Sequence, residues 1–145
     1  MFRNTLTAAA IFAASVTAAF AGPAISIEDA YARSAMKHGK SGAAFLIIRN
    51  TGDEADQLID AQSQIAHKVE LHTHKDMGGG VMKMMHVPEG FTIPAGGTHV
   101  LKRGGDHVMF MGLKQPMAQG EMVKVMLAFE KSGTIEIEVP VDLDR

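Results

Sequence analysis

Apolar and polar residues alternate along most of the chain in short runs, and turn-forming residues separate these runs. Alternation with a period of two is typical of a β-strand that buries one face, and glycine, proline, asparagine and aspartate mark the turns between strands. The pattern predicts extended segments at Ile25–Arg33, Ala43–Asn50, Asp56–Ser63, His67–Thr73, Val81–Val87, His99–Lys102, His107–Leu113, Met122–Glu130 and Thr134–Val141. Short strands at this spacing are typical of a sandwich or barrel. We therefore expect an all-β fold.

Three of these predicted strands have a plain aliphatic face and a second face that carries histidine and methionine. The second faces hold Glu70, His72 and His74 in the first strand, Met82, Met84 and His86 in the next, and His107, Met109 and Met111 in the third. Because successive side chains point to opposite sides of a strand, these residues lie opposite core candidates such as Leu71 and Val108. If the aliphatic faces form the core, the histidine and methionine faces look outward and share one site.

Two spacings indicate which residues meet at that site. His107 and Met109 are two residues apart, so both side chains lie on the same face of one strand. His72 and Met84 are separated by 11 residues that include a glycine triplet at 78–80. That length fits a hairpin, which would make His72 and Met84 cross-strand neighbours. The candidate metal ligands are therefore His72, Met84, His107 and Met109.

The first 21 residues have the pattern of a secretory signal peptide. Arg3 supplies a basic start, an apolar run extends from Leu6 to Phe20, and an A-x-A sequence ends at Ala21. We expect cleavage at that point, a functional domain of residues 22–145, and a periplasmic location. No later stretch is apolar for long enough to span a bilayer.

Composition narrows the metal chemistry. The chain has no cysteine, 11 methionines and seven histidines, and its net charge is −2. Without thiolates, iron–sulfur clusters, cysteine-type structural zinc and blue-copper centres are excluded, and the charge offers no basic footprint for nucleic acid. Imidazole nitrogen and thioether sulfur are neutral donors, and two of each suit the soft ion Cu(I). We expect one Cu(I) ion, with Cu(II) as an alternative if His74 and His86 supply more nitrogen.

The ordered set of these motifs resembles the PCu(A)C family of periplasmic copper chaperones, from about residue 25 to residue 141. The motifs are Val69-Glu70-Leu71-His72, Gly80-Val81-Met82-Lys83-Met84, Ile93-Pro94-Ala95-Gly96-Gly97-Thr98 and Gly104-Gly105-Asp106-His107-Val108-Met109-Phe110-Met111-Gly112-Leu113. The resemblance implies a cupredoxin-like Greek-key β-sandwich that binds Cu(I). It also implies delivery of copper for the assembly of cytochrome c oxidase.

The chain departs from the family pattern at two points. Thr73 stands where some members carry a methionine. The interval between Met84 and His107 contains 22 residues, one more than in the family, and Met85 would restore that interval but lengthen the one before it. Strand alternation favours Met84, because Met85 falls on the face of the aliphatic residues. Met85 stays open as the alternative ligand, and so do the roles of four residues outside the pattern: His74, His86, Met82 and Met111.

A copper carrier that is not an enzyme is the function that these features favour. The expected partner is a copper-acceptor protein, either the copper site of cytochrome c oxidase or another assembly chaperone. Copper sequestration for tolerance would use the same residues and stays open as the alternative. An H-E-x-x-H zinc hydrolase motif is absent from the sequence, and covalent haem attachment through C-x-x-C-H requires cysteine. We expect a monomer with no nucleic-acid partner.

Overall fold

The computed structural model describes residues 22–36 and 38–145. The predicted signal peptide, residues 1–21, lies outside the described residues. The strands are β1 Ile25–Ser34, β2 Ser41–Asn50, β3 Asp56–Gln62, β4 Ala66–Asp76, β5 Met82–His86, β6 Phe91–Ile93, β7 Thr98–Leu101, β8 His107–Leu113, β9 Met122–Phe129 and β10 Gly133–Pro140. No helix with the length and hydropathy of a membrane span occurs within this described part of the chain.

The prediction of an all-β fold is confirmed. Each extended segment predicted from the sequence corresponds to a strand, and β6 is an additional strand of three residues. β4 continues three residues beyond the predicted end at Thr73, to Asp76, because its last residues pair with β5.

The strands form two antiparallel sheets that pack as a sandwich. One sheet has the order β1-β2-β8-β4-β5, with β7 also paired to β2, and the other has the order β10-β9-β3-β6. Strand β8 lies between β2 and β4 although several strands separate it from both in sequence. Crossovers of this kind belong to Greek-key topologies and distinguish the fold from a simple meander. This arrangement places β4, β5 and β8 side by side.

The core lies between the inner faces of the two sheets. Its largest fully buried aliphatic and aromatic side chains are Phe110, Leu46, Ile48, Leu58, Ile93, Leu101 and Leu127. In β9 the burial alternates residue by residue, from Val123 through Val125 and Leu127 to Phe129, as expected for a strand with one buried face. The opposite faces are thereby left free for polar and metal-binding side chains.

A buried carboxylate at the start of β3 ties the turn between β9 and β10 to this strand. Asp56 is only 3% exposed, and it accepts hydrogen bonds from the backbone N–H groups of Gln57, Lys131 and Ser132 at 2.8, 2.9 and 3.0 Å and from the Ser132 hydroxyl. Burial raises the pKa of Asp56, but these hydrogen bonds together lower it by more than burial raises it. The pKa of Asp56 therefore lies below the ordinary value of 3.8. The carboxylate therefore stays ionised in the folded protein.

We expect Asp56→Asn to lower the free energy of unfolding by about 2 kcal/mol at neutral pH, because the amide group leaves buried N–H donors unpaired. Since the folded-state pKa is depressed, the stabilisation by Asp56 is present above pH 3.8 and is lost as the pH falls through that lower pKa. The two proteins should therefore converge in acid. Urea unfolding across this pH range measures the effect, with exposed Asp53→Asn as the control. A constant difference down to the most acid pH would contradict it.

Candidate metal centre

The outer face of the six-stranded sheet brings together three of the four predicted ligands on adjacent strands. The register of β4 and β8 pairs His72 with His107 and Glu70 with Met109. Residues directly opposite each other in an antiparallel pair project to the same side of the sheet. On its other side Met109 faces Ala43 of β2, whose small side chain leaves space beside the thioether. His72, His107 and Met109 thus share one face, opposite the buried Val108 and Phe110.

The hairpin of β4 and β5 places the fourth candidate differently from the sequence prediction. His72 pairs with His86, and Met84 pairs with His74. His72 and Met84, predicted to be cross-strand neighbours, lie on adjacent strands but are not directly paired: they are diagonal to each other, in successive pairs on the same face. The turn sets this register: Met77 N–H donates to the Val81 carbonyl at 2.8 Å. Between these residues, glycines 78, 79 and 80 all adopt positive φ, at 89°, 62° and 79°, which only glycine does readily.

The same register separates the two alternative methionines. Met84 lies beside His74 on the face that also carries His72, whereas Met85 pairs with Thr73 on the reverse side of the hairpin. Met84 also lines an open cleft on the outer face of the sheet, whereas Met85 does not. The geometry therefore favours Met84 as the residue available to a ligand on this face.

An open cleft of about 360 Å³ lies on this face, between the start of β8 and the β4–β5 hairpin. Its walls include three of the predicted ligands, Met84, His107 and Met109. The remaining lining residues are Arg33, Ala35, Ser41, Gly42, Ala43, Phe45, His74, Arg103 and Gly104. His72 adjoins the cleft from one side, with its ring centroid 5.9 Å from that of His107.

The His107 imidazole is held in a form that leaves one nitrogen free. The side chain is 2% exposed, covered by the rings of Phe45 and His74 at centroid distances of 6.1 and 5.2 Å. Its Nδ1 donates to the backbone carbonyl of Gly105 at 2.9 Å, which leaves Nε2 without a proton in the neutral ring. Burial lowers the pKa of His107, so the neutral form, which is the form that binds metals, predominates near neutral pH.

The His72 imidazole is oriented by a carboxylate. Its Nε2 is 2.8 Å from Oε2 of Glu70, and Oε1 of Glu70 is 2.6 Å from Nζ of Lys68. The hydrogen bond from Lys68, followed by that from His72, lowers the pKa of Glu70 from 4.5 to about 2. Glu70 is thus an anion that accepts a hydrogen bond from the Nε2–H group of His72. This hydrogen bond fixes the tautomer of the imidazole, with the proton on Nε2.

This arrangement leaves the other ring nitrogen of His72 without a partner. His72 is 9% exposed, and its Nδ1 is buried with no hydrogen-bond partner. Buried polar atoms are nearly always paired. A histidine that binds a metal through one ring nitrogen usually donates a hydrogen bond from the other nitrogen to a carboxylate, as His72 does to Glu70. The residues therefore fit a metal ion that binds through imidazole and thioether groups. No group of three or more His, Cys, Asp or Glu within the described residues has a metal-holding arrangement.

The residues left open by the sequence take different positions. His74 lines the cleft, and its Nδ1 lies 3.3 Å from the same Gly105 carbonyl that His107 uses. His86 lies beside His72 at a ring-centroid distance of 5.9 Å. Met82 pairs with Asp76 near the tip of the hairpin, and Met111 pairs with Lys68. Of these four residues only His74 reaches the cleft.

Sequence reasoning missed several residues that shape this site. The Gly105 carbonyl orients two imidazoles, yet a backbone carbonyl leaves no signal in side-chain chemistry. Phe45 covers His107 from β2, and its outward position follows only from strand pairing. Arg33 and Arg103 border the cleft from distant parts of the chain.

Fold and site together define a cupredoxin-like β-sandwich with a histidine- and methionine-lined cleft on the outer face of one sheet. The chain belongs to the LpqE-like lipoprotein family, whose family model matches residues 25–141. It is also similar to Lxx21020 of Leifsonia xyli subsp. xyli, which is named as a lipoprotein, with 38% identity over 99 residues. That similarity covers 68% of this chain and 59% of the relative, so the chain spans about three fifths of the relative's length.

Solved structures confirm the predicted resemblance to PCu(A)C domains. The copper-bound PCuAC domain from PmoF2 superimposes with a TM-score of 0.67 at 21% identity, covering 82% of this chain and 92% of that domain. The Cu(I) form of DR1885 from Deinococcus radiodurans has a TM-score of 0.63 at 33% identity, covering 81% and 79%. Its apo form has a TM-score of 0.62 at 29% identity, covering 99% and 97%. The cupredoxin-like fold is therefore established.

Proposed function

We propose that this protein is a copper chaperone that binds one Cu(I) ion through His72, Met84, His107 and Met109. The observation that carries this proposal is the buried, unpartnered Nδ1 of His72 beside a cleft lined by the other three side chains. The related DR1885 has been solved with Cu(I) bound, which supports the same ion here. Copper is the cargo of such a protein, and no reaction is catalysed at the site.

The donor set suits binding and release of a soft monovalent cation. Two neutral imidazoles and two thioethers add no charge to the site and match the preference of Cu(I) for sulfur and nitrogen. Met84 belongs to an edge strand and remains 42% exposed, so an incoming ligand can reach it. We infer that an acceptor displaces the methionines first, because they are weaker donors than imidazole, while the buried histidines release the ion last. This exposed edge favours delivery over storage.

The setting that we propose is the periplasm. The LpqE-like family and the relative Lxx21020 carry lipoprotein names, which supports export, and the signal peptide proposed for residues 1–21 would direct it. The acceptor would be the copper site of cytochrome c oxidase or another assembly chaperone in that compartment. Residues 22–145 would act as one monomeric copper-binding domain, with His74 and His86 available to add nitrogen if Cu(II) binds.

A titration with Cu(I) under reducing conditions tests both the site and the choice between adjacent methionines. We expect one equivalent of Cu(I) to bind, and we expect Met84→Leu to weaken the affinity at least about tenfold, because losing a donor sulfur should cost no less than losing a group that merely supports a ligand. Met85→Leu is the matched control, since the same substitution one residue along falls on the reverse face of β5. Affinity can be measured by competition with a coloured Cu(I) chelator. Unchanged affinity in Met84→Leu, or a larger loss in Met85→Leu, would contradict the assignment.

A further inference from the structure

The β4–β5 hairpin carries methionines that take no part in the core. Met82 and Met84 are exposed on β5, which is an edge strand, and neither packs in the core between the sheets. Methionine is usually a buried residue that fills gaps between core side chains. Two methionines held in solvent on one strand are therefore better explained by the chemistry of their sulfur atoms than by packing.

Strand register places Met82, Met84 and His74 together on the outer face of the hairpin. Met84 lies directly opposite His74, and Met82 lies directly opposite Asp76 in the next pair on that face. Residues two apart on a strand share a face and are about 7 Å apart, and directly opposite residues have Cβ atoms about 5 Å apart. The long, unbranched methionine side chain is flexible enough to cover these distances. Two thioethers and one imidazole can therefore converge on one ion.

The imidazole of His74 has a nitrogen available for this role. Its Nδ1 lies 3.3 Å from the Gly105 carbonyl oxygen, and the neutral ring that donates to this oxygen has a free Nε2. The His74 ring lines the cleft, with its centroid 5.2 Å from that of His107. His74 thus lies between the hairpin and the buried part of the proposed copper site, and it offers a nitrogen donor that the four proposed ligands do not include.

Exposure rises stepwise from the proposed copper site towards the tip of the hairpin. His107 is 2% exposed, Met84 is 42% exposed and Met82 is 54% exposed. Met84 belongs to both groups of donors, since it lines the cleft together with His107 and shares the outer face of β5 with Met82. An ion held by Met82, Met84 and His74 can therefore move inward by exchanging ligands one at a time, without leaving Met84.

We propose that Met82, Met84 and His74 form a transfer site for Cu(I), through which the ion passes between a partner and the buried ligands. The inference rests on the proposed copper-binding function and adds Met82 and His74 to the residues that bind the ion. Two sulfur donors and one nitrogen donor suit a soft monovalent cation, and Asp76 beside Met82 adds a negative charge that attracts it. Each step exchanges one neutral ligand for another, so the ion remains Cu(I) and no electron is transferred.

NMR of protein isotopically labelled at the methionine methyl groups locates the ion. With one equivalent of Cu(I), we expect the wild type to show the largest shifts at the methyl signals of Met84 and Met109. The double variant His107→Ala/Met109→Leu removes two donors of the buried site. In that variant, Cu(I) should bind more weakly and shift the methyl signals of Met82 and Met84.

Met122 is the internal control for these spectra. Its side chain is 56% exposed, close to the exposure of Met82, but it lies on β9 in the other sheet, so its signal should shift in neither protein. An unshifted Met82 signal in the double variant, or a double variant that binds no Cu(I), would overturn the proposal. A wild type that binds no Cu(I) would overturn the proposed copper-binding function as well, which distinguishes the two failures.

Met82→Leu tests the transfer site in a protein that keeps all four proposed ligands. In a stopped-flow instrument, transfer of Cu(I) from the loaded variant to a bulky coloured Cu(I) chelator should be about tenfold slower than in the wild type, the smallest loss usual when a group that supports a metal site is removed. The equilibrium affinity should be unchanged, because loading and release both pass through the transfer site and slow equally. Met122→Leu should keep the wild-type rate. Equal rates in Met82→Leu and Met122→Leu, or a weaker affinity in Met82→Leu, would also overturn the proposal.

Discussion

Replacing His107 with alanine is expected to lower the affinity for Cu(I) at least about 100-fold, more than the loss that follows removal of a group that merely supports a ligand. His107 is the residue on which most of the site converges. Its ring lies 5.9 Å from that of His72 and 5.2 Å from that of His74, and its Nδ1 is held by the Gly105 carbonyl. Alanine offers no donor atom in place of the free Nε2. The imidazoles of His72 and His74 are held by their own hydrogen bonds, so they cannot move to replace it.

His107→Ala should reduce the stability of the fold much less than it reduces the affinity for Cu(I). The imidazole lies on the outer face of the sheet, so its loss opens the cleft and leaves the core between the sheets intact. We expect destabilisation of about 1–3 kcal/mol from the lost hydrogen bond and packing, measured by urea unfolding of the apo protein. His67→Ala, at an exposed position on β4, controls for histidine removal. A folded His107→Ala protein that binds Cu(I) with wild-type affinity would contradict the assigned role.

Replacing Phe110 with alanine is expected to have the opposite pattern of effects. Phe110 is fully buried in the core, only one residue from the proposed ligand Met109. Truncation of a buried phenylalanine costs about 3–5 kcal/mol, because apolar burial is lost and a cavity remains. Since native domains are stable by only about 5–15 kcal/mol, this variant should unfold at much lower urea concentrations. Where it remains folded, it should still bind one Cu(I).

Met109→Leu supplies the matched comparison on the same strand. The volume is nearly conserved, so we expect a change in stability below about 1.5 kcal/mol, with the main effect on Cu(I) affinity. Urea unfolding and Cu(I) competition on both variants would distinguish the core face of β8, which determines stability, from its outer face, which determines Cu(I) affinity. Equal destabilisation by Phe110→Ala and Met109→Leu would contradict the assignment of Phe110 to the core face of β8 and of Met109 to its outer face.

Strand positions could be predicted from the sequence because alternation records which face each residue buries. β8, from His107 to Leu113, coincides with its predicted bounds. β6, from Phe91 to Ile93, was missed because three residues contain too little alternation to stand out. The last residues of β4 carry no apolar pattern, since they pair with an edge strand outside the core.

The site was less accessible to sequence reasoning than the strands. His107 and Met109 share a face by local spacing alone, so their proximity could be predicted. The approach of His72 to His107 depends on β4 pairing with β8, a contact between strands far apart in sequence that no local pattern records. The diagonal position of Met84 depends on the length of the glycine turn. The convergence of Arg33 and Arg103 likewise arises only in three dimensions.

X-ray absorption spectroscopy of the Cu(I)-loaded protein tests the central claim most directly, because it identifies the atoms bound to copper. The proposed ligands predict two sulfur and two nitrogen neighbours, and the Met84→Leu protein should lose one of the sulfurs while Met85→Leu retains both. Thioether and imidazole donors scatter differently enough to be distinguished in the same spectrum. A copper environment without sulfur would contradict the account.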